Sequence, residues 1–206
     1  MPYTVKEIFR TLQGEGAQTG RAAVFLRFAA CNLWNGREED RAEATCRFCD
    51  TDFVGGTKFP DAETLVEKVA AAWPVGAEGK RLVVVTGGEP ALQLDDVLVA
   101  ALHDRGFEVA IETNGTLTLP AGLDWVCVSP KAGTTLAVTS GDELKLIYPQ
   151  AGAPPEVFEH LAFDHFFLQP MDGPDREVNT RSAIAHCLTH PRWRLSVQTH
   201  KIIGIP

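Results

Sequence analysis

Short apolar runs recur along the chain, and the segments between them are polar or mixed. The runs are rich in Val, Ile and Phe, a composition typical of buried strands. They predict strands at 3–13, 22–30, 81–86, 107–113, 123–128, 143–148, 165–169 and 193–199. The segments between several of these runs predict helices at 61–73, 93–105, 155–161 and 177–189, the first with Asp61 as its N-cap.

Strands that alternate with helices indicate βα units and a mostly parallel sheet. A complete eight-unit barrel usually takes about 250 residues, whereas this chain has 206 residues and few predicted helices. We therefore predict the α/β class, with an incomplete, open (β/α) barrel of about six mostly parallel strands and few helices. We expect residues 1–206 to form a single domain.

Four polar motifs follow predicted strands at the point where each strand ends. They are TGGEP at 86–90, ETNG at 112–115, SPK at 129–131 and QPMD at 169–172. The carboxyl ends of the strands in such a barrel lie at one face, and that face binds ligands. Each motif alone is also explained by a turn or loop, because Gly, Pro and Asn-Gly are strong turn signals. Together they predict a binding site at one face of the sheet.

Composition and charge narrow the class of protein. The hydrophobic fraction of 45% and the charged fraction of 22% are ordinary globular values. A net charge of −8 argues against nucleic-acid binding, which needs a basic surface to neutralise phosphates. Apolar runs stay well short of the roughly 20 residues of a membrane span, and the first residues lack a signal-peptide pattern. We expect a cytoplasmic protein that acts on a small molecule, with no nucleic-acid or membrane partner.

Three of the five cysteines lie close together in sequence, as Cys31-x14-Cys46-x2-Cys49. The odd total fits poorly with a disulfide framework. A structural zinc site normally has four protein ligands, so one alternative is zinc with a histidine as the fourth ligand. Three thiolates also suit a [4Fe-4S] cluster with one iron left open to a further ligand. Cys127 and Cys187, in apolar surroundings, are predicted to be small buried side chains.

Arg27 is the one charged residue in the apolar run 22–30. A buried arginine is costly unless it meets an anion. One interpretation pairs Arg27 with a nearby carboxylate such as Glu15. The other makes Arg27 a bidentate clamp for a substrate carboxylate.

Three connecting segments complete the predicted layout. Residues 31–51 are read as a cluster-binding insert and loop, in which the polar stretch 35–45 forms one or two turns of exposed helix. Residues 50–60 read as a glycine-containing loop. The tail 199–206 is apolar, so it either packs as a strand end or closes a substrate site.

The cysteines, Phe48 between the last two of them, and the TGGEP and ETNG motifs resemble the radical S-adenosylmethionine (SAM) superfamily. The usual superfamily spacing is C-x3-C-x2-C, and the longer first gap here is a feature of the 7-carboxy-7-deazaguanine synthase family. The resemblance to that family runs from FRTLQGEG at 9–16 through SPK and QPMD to QTHK at 198–201 and the final Pro206. It therefore spans nearly the whole chain.

This resemblance implies a radical SAM fold and conversion of 6-carboxy-5,6,7,8-tetrahydropterin to 7-carboxy-7-deazaguanine, with loss of ammonia, in queuosine biosynthesis. It implies a reduced [4Fe-4S] cluster that generates a 5′-deoxyadenosyl radical from SAM, with SAM regenerated, and a Mg2+ ion. The enzyme would then be a Mg2+-dependent carbon–nitrogen lyase. The expected partners are an electron donor such as flavodoxin or ferredoxin and a second copy of the chain in a homodimer.

The resemblance also assigns roles to residues of this chain. The cluster ligands would be Cys31, Cys46 and Cys49, and the Mg2+ ligand would be Thr51. Residues expected to bind SAM are Phe48, Gly88, Glu112, Asn114, Ser129, Pro130, Lys131, Gln169, Pro170, Met171 and Asp172. Residues expected to bind the substrate are Leu12, Gln13, Gly14, Glu15, Arg27, Thr86 and Pro206.

Two other functions fit parts of the sequence. One is a radical enzyme that generates a glycyl radical on a partner protein, although QGEG and QPMD argue against it. The other is a non-catalytic zinc or iron–sulfur binding module. A requirement for a macromolecular substrate would favour the first, and a colourless protein with one zinc ion would favour the second.

Overall fold

The structure, a computed structural model, describes residues 2–206. Its described residues form one nine-stranded sheet in the order β3-β1-β2-β4-β5-β6-β7-β8-β9. The strands are β1 (Tyr3–Leu12), β2 (Ala22–Phe28), β3 (Thr57–Phe59), β4 (Arg81–Gly87), β5 (Phe107–Thr113), β6 (Trp125–Val128), β7 (Ser140–Tyr148), β8 (Ala162–Pro170) and β9 (Trp193–Leu195). β1 pairs antiparallel with β2 and β3, and every other neighbouring pair is parallel.

The helices are α1 (Ala62–Ala71), α2 (Asp96–Asp104), α3 (Arg176–Thr189) and the short α4 (Thr199–Ile203). Single 3-10 turns lie at Gly16–Gln18, Glu38–Glu43, Pro90–Leu92 and Pro155–Phe158. α1 begins where the Asp61 carboxylate accepts a bond from the Thr64 amide at 2.8 Å, as predicted. α2 begins in the same way at Asp95, which accepts from the Leu98 amide at 2.9 Å.

The central strands are apolar on both faces, because both faces of the sheet are covered. In β4, Val83 and Val85 pack with α1 and α2 in the largest core cluster. Leu82 and Val84 point to the other face, where they pack with Phe25 and its neighbours. Near-continuous apolar runs are the expected pattern for parallel strands covered on both sides.

The predicted open, mostly parallel sheet with few helices is confirmed. Six parallel strands, β2 and β4 to β8, form its centre, and the edge strands β3 and β9 are not neighbours in the sheet of the described residues. None of the helices in residues 2–206 is long and apolar enough to cross a membrane.

Several predicted element boundaries are wrong. Residues 155–161 form only a 3-10 turn at Pro155–Phe158. The predicted strand 193–199 ends at Leu195, and the tail begins with α4 rather than with a strand end. The predicted helix 93–105 is the shorter α2, Asp96–Asp104, which follows a 3-10 turn at Pro90–Leu92, and the 50–60 loop contains β3.

Candidate active site

The carboxyl ends of the parallel strands surround a cavity of about 340 Å³, a size usual for small-molecule sites. Of the residues predicted to bind cluster, SAM, Mg2+ or substrate, all but Pro130 line this cavity. Pro130 is buried behind the wall, where its carbonyl accepts a bond from Gln150 at 3.2 Å. Those lining the cavity are Leu12, Gln13, Gly14, Glu15, Arg27, Cys31, Cys46, Phe48, Cys49, Thr51, Thr86, Gly88, Glu112, Asn114, Ser129, Lys131, Gln169, Pro170, Met171, Asp172 and Pro206.

The three cysteine thiols are brought to one side of the cavity. Cys46 donates a hydrogen bond to Cys49, and this bond lowers the pKa of Cys49 to about 6. Burial raises the pKa of Cys31. The three sulfur atoms do not all come within 4.8 Å of one another in the described chain.

The insert between Cys31 and Cys46 holds the cysteine loop in place. Its predicted exposed helix is the 3-10 turn Glu38–Glu43. From this turn, Arg41 donates to the carbonyls of Arg47 at 2.9 Å and Cys49 at 3.0 Å, and its guanidinium lies 4.1 Å from the Trp34 ring centroid. The insert is therefore a brace for the C-x2-C loop.

The double-glycine turn after β4 packs against the segment that leads to Cys31. A side chain at Gly88 would overlap the carbonyl of Ala30, and one at Gly87 would overlap the backbone of Phe28. The amide of Glu89 donates to the Ala30 carbonyl at 2.9 Å. Close backbone packing thus accounts for both glycines, and the same turn fixes the approach to the first cysteine.

Glu89 itself is fully buried beside this turn. Its carboxylate accepts bonds from the Thr113 hydroxyl at 2.7 Å and from the amides of Asn114 and Ala91 at 2.8 and 2.9 Å. Burial raises the pKa of Glu89 despite these bonds. The carboxylate ties the TGGEP and ETNG motifs together at the cavity wall.

The predicted turn at Asn114 is present, and its side chain also reaches the cluster segment. Asn114 Oδ1 accepts from the amide and hydroxyl of Thr116 at 2.9 and 2.7 Å, and Nδ2 donates to Asn32 at 2.9 Å. Asn32 directly follows Cys31. A second motif therefore positions the same cysteine.

A buried cation organises the opposite wall. Lys145 of β7 has a side chain 4% exposed, and its ammonium lies 2.6 Å from Glu15 and 3.4 Å from Glu112. Burial opposes the charge of Lys145, but these carboxylates outweigh it and hold its pKa well above the usual value. Burial likewise opposes the charge of Glu15, yet Lys145 and neighbouring amides lower the pKa of Glu15 to about 2.

Gln13 extends this network toward the cavity. Its side-chain amide donates to Glu112 at 2.9 Å and its oxygen accepts from the Glu15 amide at 3.1 Å. The wall thus presents oriented donors and acceptors, the complement that a heterocyclic ring edge requires.

Arg27 lies at the cavity wall, but Glu15 is not its partner. Its guanidinium contacts Glu7 at 3.0 Å and lies 5.1 Å from the Phe9 ring centroid. The interpretation that Arg27 pairs with a nearby carboxylate is confirmed, but the partner is Glu7 and not Glu15, because Lys145 occupies the Glu15 carboxylate. Arg27 keeps a partly exposed, weakly paired charge that an anionic ligand can recruit.

Lys131 stands near the cysteines, its ammonium 6.0 Å from the Phe48 ring centroid. It donates to the carbonyl and hydroxyl of Ser129 at 2.6 and 2.8 Å. Burial lowers the pKa of Lys131, and the nearby Cys46 and Cys49 act in the opposite direction.

The tail folds over the cavity instead of packing as a strand. The Thr199 amide donates to the Gly14 carbonyl at 2.9 Å, and a side chain at Gly14 would overlap His200. Lys201 contacts Asp50 at 2.8 Å and Asp172 at 2.6 Å. At the end of the tail, the Pro206 carbonyl accepts from the Thr11 hydroxyl at 2.9 Å.

Sequence reasoning missed Lys145, Glu89, Arg41 and Lys201. The criterion that identified Arg27 also applies to Lys145, because Lys145 is a lone cation in an apolar run, Leu144 to Ile147. Glu89 lies inside the TGGEP motif, in which roles were predicted only for Thr86 and Gly88. Arg41 and Lys201 act through partners that only the fold brings together, so the local sequence does not identify those partners, although Lys201 belongs to the QTHK segment of the resemblance.

The residues fit the groups that the resemblance implies. Free thiols at Cys31, Cys46 and Cys49 are the ligands that iron–sulfur clusters use. The adjoining cavity, with buried polar groups and an apolar floor, has room for a small-molecule cofactor.

An open, mostly parallel sheet with three clustered thiols and a glycine turn at its carboxyl edge defines a radical SAM enzyme. The model of the Radical SAM superfamily matches residues 42–144. That match includes Cys46 and Cys49 and begins after Cys31.

The chain is 64% identical to the 7-carboxy-7-deazaguanine synthase of Caulobacter vibrioides and 63% identical to that of Bordetella pertussis. Each alignment covers 100% of this chain and 100% of the relative. QueE from Escherichia coli has a similar structure, with a TM-score of 0.72 and 30% identity over 97% of this chain and 95% of that chain. The chain belongs to the 7-carboxy-7-deazaguanine synthase family.

Proposed function

We propose that the chain converts 6-carboxy-5,6,7,8-tetrahydropterin to 7-carboxy-7-deazaguanine, with loss of ammonia and with SAM regenerated. The observation that carries this proposal is the shared cavity, in which the cysteines, the TGGEP turn and the QGEG segment face one another. End-to-end identity above 60% to relatives with that name supports the same substrate and product.

In this proposal, Cys31, Cys46 and Cys49 hold the [4Fe-4S] cluster. When bound, the cluster and SAM supply an electron and an organic radical that removes a hydrogen atom from the substrate. The protein supplies binding, orientation and exclusion of water, as it does for other cofactor enzymes. SAM is assigned to Phe48, Gly88, Glu112, Asn114, Ser129, Pro130, Lys131, Gln169, Pro170, Met171 and Asp172.

The substrate is assigned to the wall built from β1, β2 and the tail. Glu15 and Gln13 are prealigned by Lys145 and Glu112, so their hydrogen-bonding atoms are fixed before a ring arrives. Arg27 meets the substrate carboxylate by exchanging its exposed partner Glu7 for a ligand anion. Leu12, Gly14, Thr86 and Pro206 complete the contacts.

Mg2+ is assigned to the Thr51 hydroxyl, with substrate oxygens and water filling the remaining positions. Mg2+ commonly uses few protein ligands and keeps several waters. Thr51 directly follows Asp50 at the cavity, so a hard oxygen ligand lies beside the substrate wall. The enzyme is accordingly proposed to be a Mg2+-dependent carbon–nitrogen lyase.

The proposed setting is a cytoplasmic homodimer reduced by a flavodoxin or ferredoxin. Free thiols at all five cysteines suit a reducing compartment. An acidic protein of net charge −8 that acts on a small molecule needs no nucleic-acid partner.

Anaerobic turnover tests the proposal. Reconstituted protein is mixed with 6-carboxytetrahydropterin, SAM, Mg2+ and reductant, and products are followed by mass spectrometry. We expect 7-carboxy-7-deazaguanine without matching consumption of SAM. Release of 5′-deoxyadenosine alone would leave the radical chemistry standing and reject the substrate.

Two single cysteine variants test the cluster assignment separately. Cys46→Ala should abolish iron incorporation and turnover, whereas Cys187→Ala, on α3 away from the cavity, should retain both. Iron content and the visible absorbance of the reconstituted proteins measure the result. Full turnover by Cys46→Ala would reject the assignment.

A further inference from the structure

Two histidines and a carboxylate converge on the outer surface, among residues that do not line the cavity. Glu156 lies on the 3-10 turn Pro155–Phe158, and His186 and His190 lie at the end of α3 and just beyond it. One ligand atom from each residue lies within 4.8 Å of the other two. The two histidines are four residues apart, which places them on one face of a helix.

The hydrogen bonds of His190 leave its outer nitrogen free. Its Nδ1 lies 3.1 Å from the His186 carbonyl, which can only accept, and 2.9 Å from the Thr189 hydroxyl. The tautomer with the proton on Nδ1 satisfies the contact with the carbonyl and leaves Nε2 available as a ligand. A backbone carbonyl that fixes the tautomer in this way is the usual support for a metal-binding histidine.

His186 supplies a second, independent observation. Its Nε2 is screened from solvent and has no hydrogen-bond partner among residues 2–206. A buried polar atom without a partner carries an energetic penalty that a ligand can remove. Its ring stacks on that of His190, with centroids 4.1 Å apart and planes at 10°, so the two imidazoles must turn about their side-chain bonds before both can direct an in-plane nitrogen at one ion.

The surroundings of His186 also favour its neutral form. Burial lowers the pKa of His186, and His190 adds to the effect, whereas Glu156 and Glu159 oppose it. Neutral imidazole is the form that binds metals. Glu156 is exposed and supplies the negative charge that a divalent cation needs beside two neutral ligands.

We propose that Glu156, His186 and His190 form a surface site for a late first-row divalent cation of the zinc class. Two imidazoles and one carboxylate make three ligands, and water completes the tetrahedron that Zn2+ prefers. Mg2+ and Ca2+ are excluded because they prefer all-oxygen ligands. The bound ion joins the turn Pro155–Phe158 to the end of α3 and acts independently of the cavity.

Zinc titration of the reconstituted, tag-free holoenzyme tests this site, since an affinity tag of histidines would supply competing ligands. Isothermal calorimetry compares wild type with His190→Ala and Glu156→Gln. Iron is first quantified, so that the cysteines are known to be occupied by the cluster. We expect one zinc ion per chain, with binding weakened roughly 10-fold or more in His190→Ala.

His103→Ala is the matched control, because His103 is a helical histidine that contacts only one carboxylate, Asp124, at 2.8 Å. It should bind zinc as wild type does. A thermal unfolding series gives a second readout: zinc should raise the Tm of wild type and His103→Ala but not that of His190→Ala, and Mg2+ should raise none of them through this site. Catalytic turnover in His190→Ala should stay at the wild-type level.

Three results would overturn the site. These are the absence of zinc binding to wild type, equal zinc affinity in wild type and His190→Ala, or an equal loss in His190→Ala and His103→Ala. An equal loss in both variants would mean that the calorimetric heat comes from zinc binding to separate surface histidines. Because turnover is measured separately, failure of this site leaves the proposed reaction untouched.

Discussion

At the scale of single residues, the charged residues inside apolar strands are the clearest indicators of the binding site. Arg27 in β2 and Lys145 in β7 both interrupt apolar runs, and both face the cavity. They differ in their partners. Lys145 is paired with two partly buried carboxylates, whereas Arg27 has one partner at the surface. The first is therefore a fixed part of the wall and the second is available to a ligand.

Replacing Lys145 with Met should destabilise the protein by about 3–5 kcal/mol, because it leaves buried carboxylates without their cation. Anaerobic urea unfolding measures the change. The double variant Lys145→Met with Glu15→Gln should recover part of the loss, since one unpaired charge is removed. Lys80→Met, which breaks an exposed pair with Glu108, should change stability by less than about 1 kcal/mol. Equal effects of the two lysine substitutions would contradict the buried network.

Replacing Arg27 with Gln should weaken binding of the carboxylated substrate about 10-fold or more, the effect of losing one charge-assisted pair. Binding of SAM should change little. Calorimetry with each ligand separates the two effects. Arg21→Gln serves as the control, because Arg21 also pairs with a carboxylate, Glu108, but lies outside the cavity. A comparable loss for SAM would reject the role of Arg27 as a substrate clamp.

At the scale of elements, the local pattern of apolar residues predicted the strands. It did not predict the ends of elements that are set by contacts with residues far away in the sequence. The strand 193–199 ends early because Ser196 turns into the core and bonds to Gln169 at 3.0 Å and to the Gly16 amide at 2.9 Å. The Thr199 amide then meets Gly14, which starts α4. These partners lie far away in sequence, so no local periodicity could have indicated the helix.

The site residues also divide into those that the local sequence predicts and those that only long-range contacts define. Motifs with fixed spacing, such as C-x2-C and TGGEP, could be located from the sequence and placed at strand ends by topology. Arg41 and Lys201, in contrast, act on backbone and carboxylates that reach them only after folding. Arg41 lies in a polar insert and Lys201 lies in the QTHK segment at the start of the apolar tail, and neither context identifies the partners.

Lys201 allows a test of α4 as a closing element. Lys201→Met removes both ion pairs to Asp50 and Asp172 and should raise the KM for substrate several-fold. Stability should fall by less than about 1 kcal/mol, since the lysine is 30% exposed. Steady-state kinetics and urea unfolding measure the two quantities. Lys6→Met, which breaks a similar contact with Asp52 away from the cavity, should leave KM unchanged; a rise there would remove the special role of α4.

At the scale of the whole molecule, the buried pair makes stability depend on acid. The pKa of Glu15 is about 2 in the fold and ordinarily 4.5. A carboxyl with a lowered folded pKa stabilises the protein above its unfolded pKa, and this contribution is lost as the pH falls toward the folded pKa. Between about pH 6 and pH 4 the loss from Glu15 should be about 1 kcal/mol.

Comparison of wild type with Glu15→Gln isolates this contribution. The variant is less stable at neutral pH but should lose about 1 kcal/mol less between pH 6 and pH 4. Glu89 and Glu143, whose folded pKa values are raised by burial, contribute in the opposite direction. Their contributions are the same in both proteins, so they cancel when the two stability profiles are subtracted. Parallel pH profiles for the two proteins would contradict the low pKa of Glu15.

The contacts of α4 also set a sequence of events during synthesis. Gly14 and Thr11 flank the cavity from near the start of the chain, and they meet Thr199 and Pro206 only when those residues leave the ribosome. The sheet and the cysteine loop are made before them. The strands of the cavity wall can therefore fold before the segment that meets Thr11 across 195 positions of the sequence, and closure of this side is expected to be a late step of folding.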